Sequence, residues 1–114
     1  MKIVVGAIPP SLNRFSGRKN IWEYRQLKSE WKRAISVLAK KIKHETFKKA
    51  TVTITYYFPT RSRRDPDNYS GKMILDGLTC AGVIADDSFS CIELRICGEY
   101  DKRNPRTEIV IDKR

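Results

Sequence analysis

Histidine is almost missing from this chain: His44 is the only one among 114 residues. That excludes hydrolases and nucleases built on a histidine base. The residue falls at the end of a lysine-rich stretch, where a solvated position is expected. Cysteine is scarce and odd in number, with Cys80, Cys91 and Cys97 and no C-x-x-C spacing. Neither a disulfide scaffold nor a zinc ribbon fits that pattern, and reduced thiols, buried or half-buried, are expected. No apolar run approaches the roughly twenty residues of a membrane-crossing helix. The opening M-K-I-V-V-G-A-I-P-P holds too short an apolar run for a signal peptide and reads as a first strand, so a cytoplasmic protein is expected. G-x-S-x-G, the P-loop and H-E-x-x-H are all absent. Without an internal repeat, a low-complexity tract or a linker, one domain over residues 1–114 is the simplest count.

What is abundant is positive charge. Lysine and arginine number 23 against 13 acidic residues, a net charge of +10. Such an imbalance costs self-repulsion in a compact state, and a polyanionic partner is the usual reason to carry it. The basic residues are spread along the whole chain, which suits nucleic acid better than a membrane surface. Hydrophobic residues at 40% and charged residues at 32% fit a folded domain.

Residues 2–8 read as a strand closed by Pro9-Pro10, followed by a basic loop from Ser11 to Asn20. From about Ile21 to Lys43, Leu27, Trp31, Ala34, Ile35, Leu38 and Ile42 recur at spacings of three and four. That predicts an amphipathic helix with Asn20 as its N-cap. Thr51 to Phe58 alternates, with Val52, Ile54, Tyr56 and Phe58 directed to the core. A second helix is expected from about Asp67 to Cys80, ended by Ala81-Gly82. Cys91 to Glu99 alternates again with Ile92, Leu94 and Ile96 inward, and a last strand runs from Thr107 to Asp112. The order β-α-β-α-β-β predicts an α+β domain: a small mixed or antiparallel sheet with two main helices on one face.

Within this basic chain lies R-R-D-P-D-N, residues 63–68. Pro66 pushes Asp65 into an extended conformation. In extended chain, residues two apart point the same way, so Asp65 and Asp67 are expected to face one point. The pair Asp86-Asp87 follows the second predicted helix and is the candidate source of a third carboxylate. Mg²⁺ takes oxygen ligands and keeps several waters, so a few carboxylates and a substrate phosphate suffice. The pattern points to a metal-dependent nuclease. A structural reading competes with it: Asp67 is where a helix N-cap belongs, Asp-Pro-Asp-Asn is ordinary turn chemistry, and Asp86-Asp87 suits a solvated turn.

Residues 63–88, R-R-D-P-D-N-Y-S-G-K-M-I-L-D-G-L-T-C-A-G-V-I-A-D-D-S, resemble the core motif of RusA-type Holliday junction resolvases. The shared pattern is Asp-x-Asp-Asn, a following Lys, Asp-x-Leu, an Ala-Gly turn and a double Asp. The opening P-P-S-L-N is also similar, and the element order agrees over nearly the whole chain. The resemblance implies a homodimeric endonuclease that uses Mg²⁺, or Mn²⁺ in its place, and cuts branched DNA without a small-molecule cofactor. It assigns Asp65, Asp67 and Asp87 as catalytic metal ligands, with Asp86 beside them. Lys72 matches the family's functional lysine, and Arg64 a basic position next to the site. One departure stands out. Tyr69-Ser70-Gly71 makes the spacer from Asn68 to Lys72 one residue longer than the family pattern, and one residue turns a helical side chain by about 100°. Either Gly71 absorbs the insertion or Lys72 points elsewhere, for instance to an i,i+4 pair with Asp76.

DNA contacts are expected from Arg14, Arg18, Lys19, Arg61, Arg63 and Arg64, all in loops flanking the acidic motif. Phe15 or Tyr69 would stack on an opened base, although plain packing is commoner for either. A two-fold dimer would supply the two symmetric cuts that a four-way junction needs. A non-catalytic basic DNA-binding regulator is the competing class, and it requires no metal.

Overall fold

A computed structural model describes residues 1–15 and 21–114. The expected Asn20 cap and the cations Arg18 and Lys19 lie outside the described residues. The elements are β1 (Lys2–Val5), α1 (Ile21–Lys40), β2 (Ala50–Phe58), α2 (Lys72–Cys80), β3 (Ile92–Tyr100) and β4 (Arg106–Lys113). Two 3-10 turns, Leu12–Phe15 and Pro66–Asn68, precede the two helices. This is the α+β order expected from the alternation of hydrophobic periods.

The sheet is mixed, in the order β1-β4-β2-β3. β4 is antiparallel to both β1 and β2, whereas β2 and β3 run parallel over their whole length, from Ala50 beside Ile92 to Phe58 beside Tyr100. A parallel pair requires a crossover, and α2 provides it. Val52, Ile54 and Tyr56 from β2, Ile109 and Ile111 from β4, and Ile3 from β1 are buried on one face of the sheet. There they form one core with Trp31, Ile35 and Ala39 of α1 and Ile74, Leu75 and Leu78 of α2. The buried positions of α1 lie four apart, so the stripe is narrower than the periodic list suggested. Leu27, Leu38 and Ile42 pack only partly against this core.

Three expectations need correction. α2 begins at Lys72 rather than Asp67, because Gly71 in left-handed conformation (φ 80°) interrupts the chain just before it. Leu94 is 38% exposed rather than buried, although it shares a face with Ile92: β3 is the sheet's last strand, and the helical layer covers only part of it. Cys80 and Cys97 are exposed and only Cys91 is half-buried, so the thiols are more open than their hydrophobic character suggested.

The β3–β4 turn is held by Arg106. Its guanidinium lies 3.7 Å over the Tyr57 ring and bonds Asp101 at 2.8 Å and Glu108 at 2.7 Å. Lys2 meets the other oxygen of Glu108 at 2.7 Å. Asp101 is held below the ordinary carboxylate range first by its Arg106 bond and then by the backbone N–H of Asn104. Glu108 is lowered by Lys2 and then by Arg106. A depressed carboxylate stabilises the fold fully above its unfolded pKa and loses that contribution as pH falls through the folded one. Thermal melting is therefore expected to hold steady at neutral pH and to decline below about pH 4, with Arg106→Met showing a shallower acid decline than wild type. Parallel acid limbs for the two proteins would contradict this account of the turn.

Candidate active site

The acidic motif sits on a loop that leaves the C-terminal end of β2 and turns back over the sheet. Arginine stacking fastens it at both ends. Arg61 lies 4.2 Å over the ring of Tyr100, at the end of β3. Arg64 lies 4.3 Å over Phe58. Its Nη1 donates to the carbonyls of Thr60 and Ser62 at 3.1 Å, and its Nη2 to Thr60 Oγ1 at 2.8 Å. Downstream, Tyr69 packs edge-on to Phe58 at 5.1 Å and against Tyr56 at 5.6 Å. The Tyr56 hydroxyl is buried and has no hydrogen-bond partner among the described residues, and burial, then the neighbouring Tyr69, raise its pKa. A Cβ on Gly71 would stand 2.7 Å from the Ile54 side chain, so this position requires glycine for space as well as for its positive φ.

Asp65 is extended (φ −106°, ψ 135°), as the following proline dictates. The chain then tightens into the Pro66–Asn68 turn, so the strand-like alternation expected to align Asp65 with Asp67 does not hold. The capping role is also absent. Gly71 occupies the N-cap of α2, and Asp65 makes no side-chain bond to the turn it opens. Among the described residues, the Asp65 carboxylate bonds only the exposed Arg63, at 3.4 Å.

Asp86 and Asp87 arrive from the other end of α2. That helix ends in a Schellman turn at Gly82, where Val83 N–H donates to Leu78 O and Gly82 N–H to Thr79 O. Ile84 then bridges Phe47, and the two aspartates follow, exposed, before β3. Asp87 lines a surface hollow with Leu75, Phe89, Ile92 and Leu94, while the Pro66–Asn68 turn packs along the same strand β3. Both acidic segments thus flank α2 and β3. Among the described residues, no three His, Cys, Asp or Glu side chains come together as a metal cage. Asp67, Asp86 and Asp87 have no hydrogen-bond or ion-pair partner among those residues. Such open oxygen donors fit Mg²⁺ bound through one or two carboxylates, water and phosphate, and do not form a closed all-protein site.

Lys72 opens α2 and is exposed. Its amine is 3.8 Å from Asp76, which also meets Lys28 of α1 at 3.1 Å. Gly71, in left-handed conformation, ends the spacer just before Lys72, and the i,i+4 pair with Asp76 is present. The expected DNA contacts divide. Arg61 and Arg63 are exposed beside the acidic turn, while Arg14 is paired with Glu23. Arg64 is half-buried and spends its donors on the loop, a role that sequence reasoning missed. Tyr69 is packed on aromatic neighbours, and the Phe15 side chain lies outside what the structure describes. His44 is half-buried.

A basic α+β domain that displays exposed carboxylates on a cation-stapled loop and at the far end of the following helix has the character of an enzyme acting on a phosphodiester backbone. The family model of endodeoxyribonuclease RusA matches residues 7–112, which include every acidic residue of the site. The chain belongs to that family of Holliday-junction-resolving endonucleases. A search of curated proteins finds no match.

The fork of Arg64 accounts for how the acidic turn is held, and lysine cannot reproduce it. In Arg64→Lys, amide hydrogen exchange over residues 60–68 is expected to accelerate by about tenfold, the effect of losing roughly 1–2 kcal/mol of local bonding, with exchange in β4 unchanged. Unaltered protection of the loop would show that Arg64 does not position it.

Proposed function

We propose that this chain is a Mg²⁺-dependent endonuclease that resolves four-way DNA junctions as a homodimer, by paired symmetric cleavage. The supporting observation is that Asp67, Asp86 and Asp87 are exposed and, among the described residues, carry no hydrogen bond or ion pair in a protein with a large cation surplus. Carboxylates kept for folding alone would be expected to cap or to pair.

In this reading Asp65, Asp67 and Asp87 hold the metal, with Asp86 beside them. A metal bound there supplies an acidified water and neutralises charge on the phosphate. The chain's own residues do the positioning. Arg64, Tyr56, Phe58 and Tyr69 fix the loop that carries Asp65 and Asp67. Lys28 already compensates Asp76, so the exposed Lys72 amine can leave that carboxylate for a phosphate oxygen. Arg61 and Arg63, with Arg14, Arg18 and Lys19 further upstream in the sequence, would contact the DNA backbone and make binding steeply salt-dependent. A homodimer supplies two sites at a fixed separation for the two cuts.

The test uses a synthetic four-way junction and a matched linear duplex, each with Mg²⁺ and with EDTA. Symmetric nicks are expected on the junction alone, and only with the metal. Asp67→Asn is expected to lose at least about a hundredfold in cleavage rate, the scale seen when a group acting on the transition state is removed, while binding the junction as tightly as wild type. Tight junction binding with no product under Mg²⁺ or Mn²⁺ would instead identify a non-catalytic DNA-binding protein.

A further inference from the structure

β3 is an open edge. β2 lies on one side of it, and among the described residues no strand lies on the other. It is nine residues long and exposed over most of that length, whereas the opposite edge, β1, has four residues. A long, uncovered edge presents free N–H and C=O groups that template pairing. Their positions follow from the bonds to β2. Ala50 N–H donates to Cys91 O, and Asp101 N–H donates to Phe58 O, both at 2.9 Å. Odd-numbered residues of β3 therefore turn their backbone groups toward β2. Ile92, Leu94, Ile96 and Gly98 turn theirs to the open side.

We propose that β3 pairs antiparallel with the β3 of a second copy of this chain, about a two-fold axis at Leu94, so that two sheets become one. Side-chain chemistry selects the register. With Leu94 opposite Leu94 of the partner subunit, Glu93 faces the partner subunit's Arg95, and Arg95 faces the partner subunit's Glu93. Within one chain these two side chains pair with each other, 3.2 Å apart and largely exposed. On the helical face, Ile92 meets Ile96 of the partner subunit. Neighbouring registers lose this match. An axis at Arg95 sets the two arginines against each other, one at Ile96 sets Glu93 against the partner subunit's Glu99, and one at Glu93 opposes two glutamates. Like charges directly opposite destabilise a ladder, and opposite ones stabilise it.

The hollow of about 530 Å³ beside Leu94 belongs to the same surface. Leu75, Ile92 and the fully exposed Phe89 line it, so pairing there would cover apolar area as well as backbone. The interface rests on the homodimer in the proposed function and gives that dimer its contact surface.

The register makes a covalent forecast. Cys91 stands opposite the partner subunit's Cys97 in a non-hydrogen-bonded pair, where Cα atoms are about 4.5 Å apart, within disulfide range. Full-length protein is treated with copper phenanthroline, which accepts the two electrons of each thiol pair, and cross-linked peptides are mapped. Cys91–Cys97 is the expected intermolecular link, lost in Cys91→Ser and in Cys97→Ser and kept in Cys80→Ser. Sedimentation is expected to show a dimer that weakens about tenfold in Glu93→Arg or Arg95→Glu and recovers in the double charge swap. A monomer at every concentration, a different dominant link, or no recovery in the swap would overturn the interface. Wild-type protein that cuts the junction but forms no Cys91–Cys97 link on oxidation would overturn the interface and leave the proposed function standing. A correctly linked dimer that cuts no junction would do the reverse.

Discussion

The parallel pairing of β2 with β3 is the constraint on which the rest of the molecule depends. Parallel neighbours cannot be joined by a hairpin, so the chain must leave the C-terminal end of β2 and return to the N-terminal end of β3. α2 makes that journey through the core, carried by Ile74, Leu75 and Leu78. Its two flanks are the two places where the chain changes direction, and both carry aspartates. The R-R-D-P-D-N turn enters α2 and Asp86-Asp87 leaves it, each beside β3. The crossover that completes the core is therefore also what brings the two acidic segments, some twenty positions apart in sequence, to the same edge of the sheet.

Charge is divided between holding and display. Arg64 and Arg106 each stack on an aromatic ring of β2 and spend their donors on nearby oxygens, which fixes the loops at the same end of the strand. Lys28 and Lys72 converge on Asp76. The acids that remain without partners among the described residues include those that the family motif marks. In a chain of net charge +10, Asp67, Asp86 and Asp87 stand exposed and unpaired among the described residues, which is what the proposed metal role requires.

The architecture was legible in the sequence because period and punctuation agree. Alternation marked β2, the three-four spacing marked α1, and Ala81-Gly82 marked the end of α2. Sheet order was not legible, since alternation says nothing about which strands pair. That is why Leu94 reads as a core residue and turns out to sit on an edge. The start of α2 was misplaced because Asp67 looks like a cap, while the real boundary is set by Gly71 packing against Ile54. Within the proposed site, the aspartates and Lys72 are assigned by their spacing in the motif. The internal role of Arg64 left no comparable signal, because an arginine beside an acidic motif reads as a phosphate contact until its bonds to Thr60 and Ser62 are seen.

The central claim is spatial: the segments on either side of α2 serve one ion. Titrating the folded protein with Mn²⁺ and following backbone amide signals by NMR tests this directly, because paramagnetic broadening falls off steeply with distance. The account predicts that Asp65–Asn68 and Asp86–Ser88 broaden together at the same metal concentration, and that Asp67→Asn weakens the effect on both. Broadening confined to one segment, or spread evenly over the surface carboxylates, would contradict it.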